Sequence, residues 1–138
     1  MRVALVVVPA GSPEALSTLA KSMARVLESA GHRVDVAVAG VDETPRLAGY
    51  DYVIVGTEPV GWGGKIPAKV AQTLSQAGMV GGKRSMAFLR KAGFFPAKAM
   101  KRLMSAMETE GMVVNSEEIV GNEAAAIAAA KSAPIERY

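Results

Sequence analysis

The stretch Leu47–Ala68, LAGYDYVIVGTEPVGWGGKIPA, decides the fold of this 138-residue chain. It predicts a buried strand, Tyr52–Val55, that runs directly into a glycine-rich loop, Gly56–Gly64, and then into a helix opened by Pro67. In a parallel α/β sheet, ligands bind just beyond the carboxyl ends of the strands, where the strand order reverses. Because this loop holds four glycines and the only tryptophan of the chain, we expect the functional site there.

Four further strands are predicted, two before this stretch and two after it. Val3–Val8 is a continuous apolar run, as expected of a strand covered on both faces, whereas Arg33–Val38 alternates, as expected nearer a sheet edge. Strands that alternate with helices indicate parallel neighbours joined by right-handed crossovers. The remaining predicted strands are Ser85–Leu89 and Met112–Val114, the latter with Ile119 and Val120 as an alternative end.

Three further helices are predicted from capping residues and from apolar side chains at three- and four-residue steps. In the last helix Ile127 is the large apolar side chain, so we expect it to anchor that helix. The residues that follow, Pro134–Tyr138, are predicted to be a short tail. Along the chain, the first helix is opened by Ser12 as N-cap with Pro13 and is closed by Gly31. The third helix begins at Pro96 and is closed by Gly111, and Asn122 caps the fourth.

The composition indicates one soluble globular domain over residues 1–138, since half of the chain is hydrophobic and 21% is charged. The chain has no cysteine, which excludes disulfides and thiolate chemistry and suits the cytoplasm. Its single histidine cannot build a histidine-rich metal site, so no metal is expected. A net charge of +3 is too small to indicate nucleic-acid binding, and no apolar run is long enough to cross a membrane.

No catalytic residue is identified from the sequence. His32 follows a helix-ending glycine and is predicted to lie at the surface. Ser12 and Ser116 have no histidine partner and no nucleophile elbow, and neither a Walker motif nor a GxGxxG motif occurs. Whether the chain is an enzyme therefore stays open, as does its oligomeric state.

Three segments together resemble the flavodoxin family: ESAGHRVDVAV, AGYDYVIVGTEPVGWGGKIPAKV and KRSMAFLRKAGFFPAKAMKRLMSAMETEGMVV. The resemblance covers nearly the whole chain, and its order and spacing are more specific than any one motif. It implies a three-layer α/β/α sandwich around a five-stranded parallel sheet in the order 2-1-3-4-5. It also implies that the chain binds flavin mononucleotide (FMN) and acts in electron transfer or flavin-dependent reduction, with a redox partner protein or a small-molecule acceptor.

The family binds the FMN phosphate with a loop rich in Ser and Thr, which the resemblance places at Pro9–Leu16. This loop departs from the family pattern, because only Ser12 keeps a hydroxyl and Pro13 has no amide hydrogen. Glu14 adds a negative charge that repels a phosphate by roughly 1–4 kcal/mol at ~4 Å. The departure favours an alternative hypothesis, in which a flavodoxin-like domain has lost FMN and serves as a binding or regulatory module.

The other two flavin loops match the family better. Trp62 lies where the resemblance places one aromatic wall of the flavin ring, and Phe94 or Phe95 lies where it places the other. An alternative interpretation is that these rings only cover the end of the sheet. Arg90 contributes a cation near the ring, whereas Lys101 and Arg102 are expected on a solvated helix face. The residues expected to contact the flavin are Ser12, Thr57, Val60, Gly61, Trp62, Gly63, Gly64, Arg90, Gly93, Phe94 and Phe95.

Overall fold

Five strands and four α-helices alternate along the chain in the computed structural model, which describes residues 1–136. Each helix boundary lies close to the Gly, Pro or Asn that predicts it. A short 3-10 helix, Leu47–Gly49, precedes the central strand. The strands are β1 Arg2–Val8, β2 Arg33–Val38, β3 Tyr52–Thr57, β4 Arg84–Arg90 and β5 Val113–Val120, and the helices are α1 Glu14–Ser29, α2 Lys69–Ser75, α3 Pro96–Thr109 and α4 Glu123–Ser132.

The strands form one parallel sheet in the order β2-β1-β3-β4-β5, which confirms the predicted topology. The chain runs from β1 to β2 on one side of the sheet and returns to β3 on the other, so the order reverses between β1 and β3. The loops that follow these two strands therefore meet at the carboxyl edge of the sheet, where ligands of such folds bind.

The helices cover both faces of the sheet. One apolar core lies between the sheet and helices α1 and α4, and a second lies between the sheet and helices α2 and α3. Strand β3 is buried along its whole length, as its unbroken apolar sequence predicts. Gly56 is required in β3, because a Cβ atom there would lie 2.1 Å from Cζ of Phe88 on the neighbouring strand.

The last helix docks through small side chains, so the prediction that Ile127 anchors it is wrong. Ile127 is only half-buried, while three alanines of α4 are packed in the core shared with α1. Small side chains let the two helices approach closely, and Ser22 of α1 donates to Glu123 of α4 at 3.2 Å. The predicted cap is confirmed, since Oδ1 of Asn122 accepts the Ala125 amide at 2.8 Å. The three packed alanines are Ala126, Ala129 and Ala130.

Two predictions about the amino-terminal edge of the sheet are also wrong. Ile135 belongs to the core rather than to a short tail, and Arg137 and Tyr138 lie outside the described residues. The His32 side chain is only 8% exposed, because it packs beneath the chain's own ends. Its Nδ1 lies 3.3 Å from the amino group of Met1, and its Nε2 lies 4.0 Å from Glu136.

Candidate functional site

Three loops converge at the carboxyl edge of the sheet. They follow β1 (residues 9–13), β3 (58–68) and β4 (91–95), and they lead into α1, α2 and α3 respectively. Parallel strands end at the same edge, so residues far apart in sequence become neighbours there. Most of the residues predicted to contact a ligand lie in these loops.

Trp62 and Phe94 stack on each other at this edge and are named the aromatic pair below. Their ring centroids are 4.7 Å apart and their planes are inclined by 12°. Trp62 is 74% exposed and Phe94 is 54% exposed, so the pair stands in solvent rather than in the core. Exposed aromatic faces bind flat ligands by stacking, so the pair is a candidate site for such a ligand.

The loop that carries Trp62 is closed at its base. The amide of Val60 donates to the carbonyl of Lys65 at 2.8 Å, and Nη1 of Arg102 on α3 donates to the carbonyl of Gly63 at 3.0 Å. Gly64 packs so closely on α3 that a Cβ atom would lie 2.6 Å from Cβ of Lys98. Arg102 is exposed, as expected of a solvated helix face, but it also holds this loop in place.

The two phenylalanines after β4 contact different partners. Phe95 has φ 58° and ψ 51°, in the left-handed region, and is the N-cap residue of α3. Its ring lies 5.1 Å from Nζ of Lys98, whereas the Phe94 ring contacts Trp62. The left-handed conformation costs a non-glycine residue about 1–2 kcal/mol, so the turn stores strain beside the aromatic pair. Of the two phenylalanines, Phe94 is the one that stacks on Trp62.

A buried carboxylate that the sequence analysis did not single out lies between the three loops. Glu58 is 4% exposed and follows β3 directly. Its Oε2 accepts the Ala10 amide at 2.9 Å, and its Oε1 accepts from Nε of Arg90 at 2.8 Å. The signal in the sequence is an acid at the end of a buried strand at the reversal point, because such a position faces the cleft and a buried acid requires a partner.

A cleft of about 370 Å³ opens beside this carboxylate, between the loop after β1 and the end of β3. The structure brings Ser12 and Arg90 together in it. Helix α1 begins at Glu14 with Pro13 in the N-cap position and no side-chain capping bond, so Ser12 does not cap the helix as predicted. The lining residues are Ala10, Gly11, Ser12, Glu14, Ala15, Glu58, Pro59 and Arg90.

Two predicted contact residues are engaged within the protein. Thr57 is fully buried, and its hydroxyl donates to the carbonyl of Val8 at 2.6 Å, which ties the ends of β3 and β1 together. The Val60 amide is used inside its own loop. The glycines Gly61, Gly63, Gly64 and Gly93 all have positive φ and shape the two loops that present the aromatic pair.

Among residues 1–136 no group of three or more His, Asp or Glu side chains is placed to bind a metal. None of the helices described is both long enough and apolar enough to cross a membrane.

Several solved structures share this architecture over almost the whole chain. A flavodoxin from Streptococcus pneumoniae TIGR4 superimposes with a TM-score of 0.73 and 18% identity, covering 94% of this chain and 95% of its own. The fold is flavodoxin-like. An archaeal flavodoxin gives a TM-score of 0.68 and 18% identity, covering 96% of this flavodoxin-like chain and 94% of its own. The two-electron reduced flavodoxin of Megasphaera elsdenii gives the same score and identity, covering 94% and 99%.

The likeness lies in three-dimensional structure rather than in sequence. No protein-family model matches the flavodoxin-like chain. No curated protein matches it in sequence either. Identities of 18% establish the shared fold and not a shared function.

The residues of the site fit the two ends of an FMN molecule differently. The aromatic pair is of a type that stacks on a flavin ring, although its two inner faces are now packed on each other. The loop after β1 does not fit the phosphate, because one of its amides is bonded to Glu58 and two of its positions are proline. The site thus resembles a flavin site at its aromatic side chains and differs from one at its phosphate loop.

Proposed function

We propose that this flavodoxin-like chain binds a flavin through its ring system at the aromatic pair and acts in electron transfer or flavin-dependent reduction. The observation that carries the proposal is the exposed parallel stack of Trp62 on Phe94 at the carboxyl edge of the sheet. Two aromatic side chains in solvent lose water-exposed area by stacking on each other, and they lose more by enclosing a flat ligand.

Binding of a ring between the two side chains requires them to separate. Aromatic faces pack at about 3.5 Å, so a sandwiched ring needs planes about 7 Å apart, compared with the present centroid distance of 4.7 Å. The Val60 and Arg102 bonds hold the loop backbone on either side of Trp62, so we expect the separation to come from rotation of the two aromatic side chains. When bound, the flavin supplies one-electron or hydride chemistry, and the chain positions the ring and shields its faces.

The rim around the aromatic pair is basic. Five exposed cations lie on the loops after β3 and β4 and on α3, and positive charge at a redox site attracts an acidic partner surface or an anionic acceptor. We therefore propose an acidic redox partner protein, or a small anionic acceptor, as the destination of the electrons. The five cations are Lys65, Lys91, Lys98, Lys101 and Arg102.

The test is titration of the purified protein into lumiflavin, which has the flavin ring and no tail. Quenching of flavin fluorescence that saturates at micromolar protein is the expected result, together with visible flavin bands if a flavin co-purifies. Trp62→Ala should shift the quenching to at least about fivefold higher protein concentration, while Lys69→Ala, a change at the start of α2, should not. The proposal is excluded if the native protein gives flat titration curves up to high micromolar concentration.

A second candidate function is supported by the buried Glu58. Its carboxylate occupies the loop amide and the Arg90 guanidinium that an anionic ligand would otherwise use. This arrangement suits a flavodoxin-like module without a cofactor, in which the exposed aromatic pair and its basic rim bind another protein directly. The two candidates differ in the lumiflavin titration, which is positive only for the first.

A further inference from the structure

Both oxygens of the Glu58 carboxylate are bound by groups that commonly bind phosphate. The backbone N–H of Ala10 donates to Oε2 at 2.9 Å, and the guanidinium of Arg90 donates to Oε1 at 2.8 Å. The Glu58 side chain is 5% exposed and the Arg90 side chain is 32% exposed, so the ion pair has a buried carboxylate and a partly exposed guanidinium. The chain's own anion therefore uses one backbone amide and one guanidinium nitrogen that could otherwise bind a phosphate.

The charge of the cleft acts in the same direction. The described residues that line it carry two carboxylates, Glu14 and Glu58, and one guanidinium, that of Arg90. The two carboxylates outnumber the one guanidinium, so the charged side chains of the lining together repel a phosphate dianion. The free amides in the first turn of α1 act against this repulsion, but Pro13 at the N-cap has no amide hydrogen to add to them.

We infer that Glu58 makes this site select flavins with a neutral tail over flavins with a phosphate, so that riboflavin binds more tightly than FMN. The inference rests on the proposed function, since it concerns the tail of a ligand whose ring lies at the aromatic pair. The hydroxyl groups of a ribityl chain are hydrogen-bond donors, and a carboxylate accepts such bonds. Glu58 and Glu14 thus suit a polyhydroxyl tail and oppose an anionic one.

The experiment compares lumiflavin, riboflavin and FMN in fluorescence titrations against the native protein at low salt. We expect riboflavin to bind at least about tenfold more tightly than FMN. Glu58→Gln should reduce that ratio about tenfold, because the amide oxygen still accepts from Ala10 while the negative charge is gone. Glu28→Gln, the same change at the exposed far end of α1, is the matched control and should leave the ratio unchanged.

A measurement on the native protein makes the test independent of how the variant folds. The riboflavin and FMN affinities of the native protein at low salt give this comparison without any variant. Binding of FMN as tight as that of riboflavin overturns the inference and leaves the proposed function intact. Failure of all three flavins to bind overturns both.

Discussion

The ring planes of Trp62 and Phe94 are within 12° of parallel, although the two residues follow different strands and are 32 positions apart in the sequence. Their contact exists only because β3 and β4 are parallel neighbours that end at the same edge. The sheet topology thus creates the pair, and the loops tune its spacing.

Loss of either ring should weaken flavin binding. Stacking of a flat heterocycle on one aromatic side chain contributes about 1–3 kcal/mol, so Trp62→Ala and Phe94→Ala should each weaken riboflavin binding about 5- to 150-fold. Phe95→Leu is the control, because the Phe95 ring contacts Lys98 and not the pair. Equal weakening by all three changes would show that the flavin does not lie between Trp62 and Phe94. Fluorescence titration with riboflavin measures all four proteins.

The strained turn at Phe95 makes a stability prediction. Alanine and glycine both remove the ring, but only glycine adopts the left-handed conformation at little cost. Phe95→Gly should therefore be more stable than Phe95→Ala by about 1 kcal/mol in urea unfolding. The comparison cancels the lost Lys98 contact, and an equal stability of the two variants would mean that the turn relaxes once the ring is gone.

The bond from Arg102 to Gly63 should restrain the Trp62 loop. Arg102→Met keeps the apolar stem and removes the donor, so the Val60 amide that closes the loop should exchange with solvent several-fold faster. Lys101→Met removes a neighbouring cation from the same helix and should leave this exchange rate unchanged. Hydrogen exchange followed by NMR measures both, and unchanged protection in Arg102→Met would show that the base of the loop is held by its own bonds.

Alkaline pH should destabilise the fold through two tyrosines. Burial raises the pKa of Tyr52, and the hydrogen bond to Asp35 raises the pKa of Tyr50. In the unfolded chain both titrate near pH 10, so above that pH the unfolded state releases protons that the native state retains. The free energy of unfolding should therefore be constant below about pH 10 and fall above it, by up to about 1.4 kcal/mol per pH unit for each tyrosine.

Urea unfolding followed by far-UV circular dichroism at pH 8 to 11 measures this dependence. Tyr52→Phe removes one of the two titrating groups and also the hydrogen bond to Asn115. In this variant the free energy of unfolding should fall less steeply with rising pH. The same slope in native protein and variant would exclude Tyr52 as a source.

The order of the strands and helices could be predicted because each element has a signal within a short stretch of sequence. The unbroken apolar run of β3, the alternation of β2 and the glycines and prolines at helix ends are each read from a few neighbouring residues. The docking of α4 could not be predicted from the sequence. It depends on how closely α1 and α4 approach, and a run of alanines shows no clear apolar periodicity. The burial of Ile135 likewise depends on the tertiary fold, because its side chain packs in the core formed by α1, α4 and the sheet.

The sequence predicts aromatic side chains at the carboxyl edge of the sheet, but it does not predict the polar contacts found there. Trp62 and Phe94 are conspicuous because large aromatic side chains in glycine-rich loops are rare. Glu58 gains its meaning from Ala10 and Arg90, which are 48 and 32 residues away and meet it only through the sheet. Thr57 points into the protein because the carbonyl of Val8 on the adjacent strand accepts its hydroxyl. Such partners follow from the tertiary fold and not from spacing.

The position of the single indole has a practical consequence for spectroscopy. Trp62 is 74% exposed at a loop tip, so its emission in the native state already resembles that of a solvated chromophore. In thermal unfolding followed by tryptophan emission, the signal will report the surroundings of one loop. It will respond little to unfolding of the two apolar cores. For the same reason, that emission is a clean reporter of anything that docks on the loop.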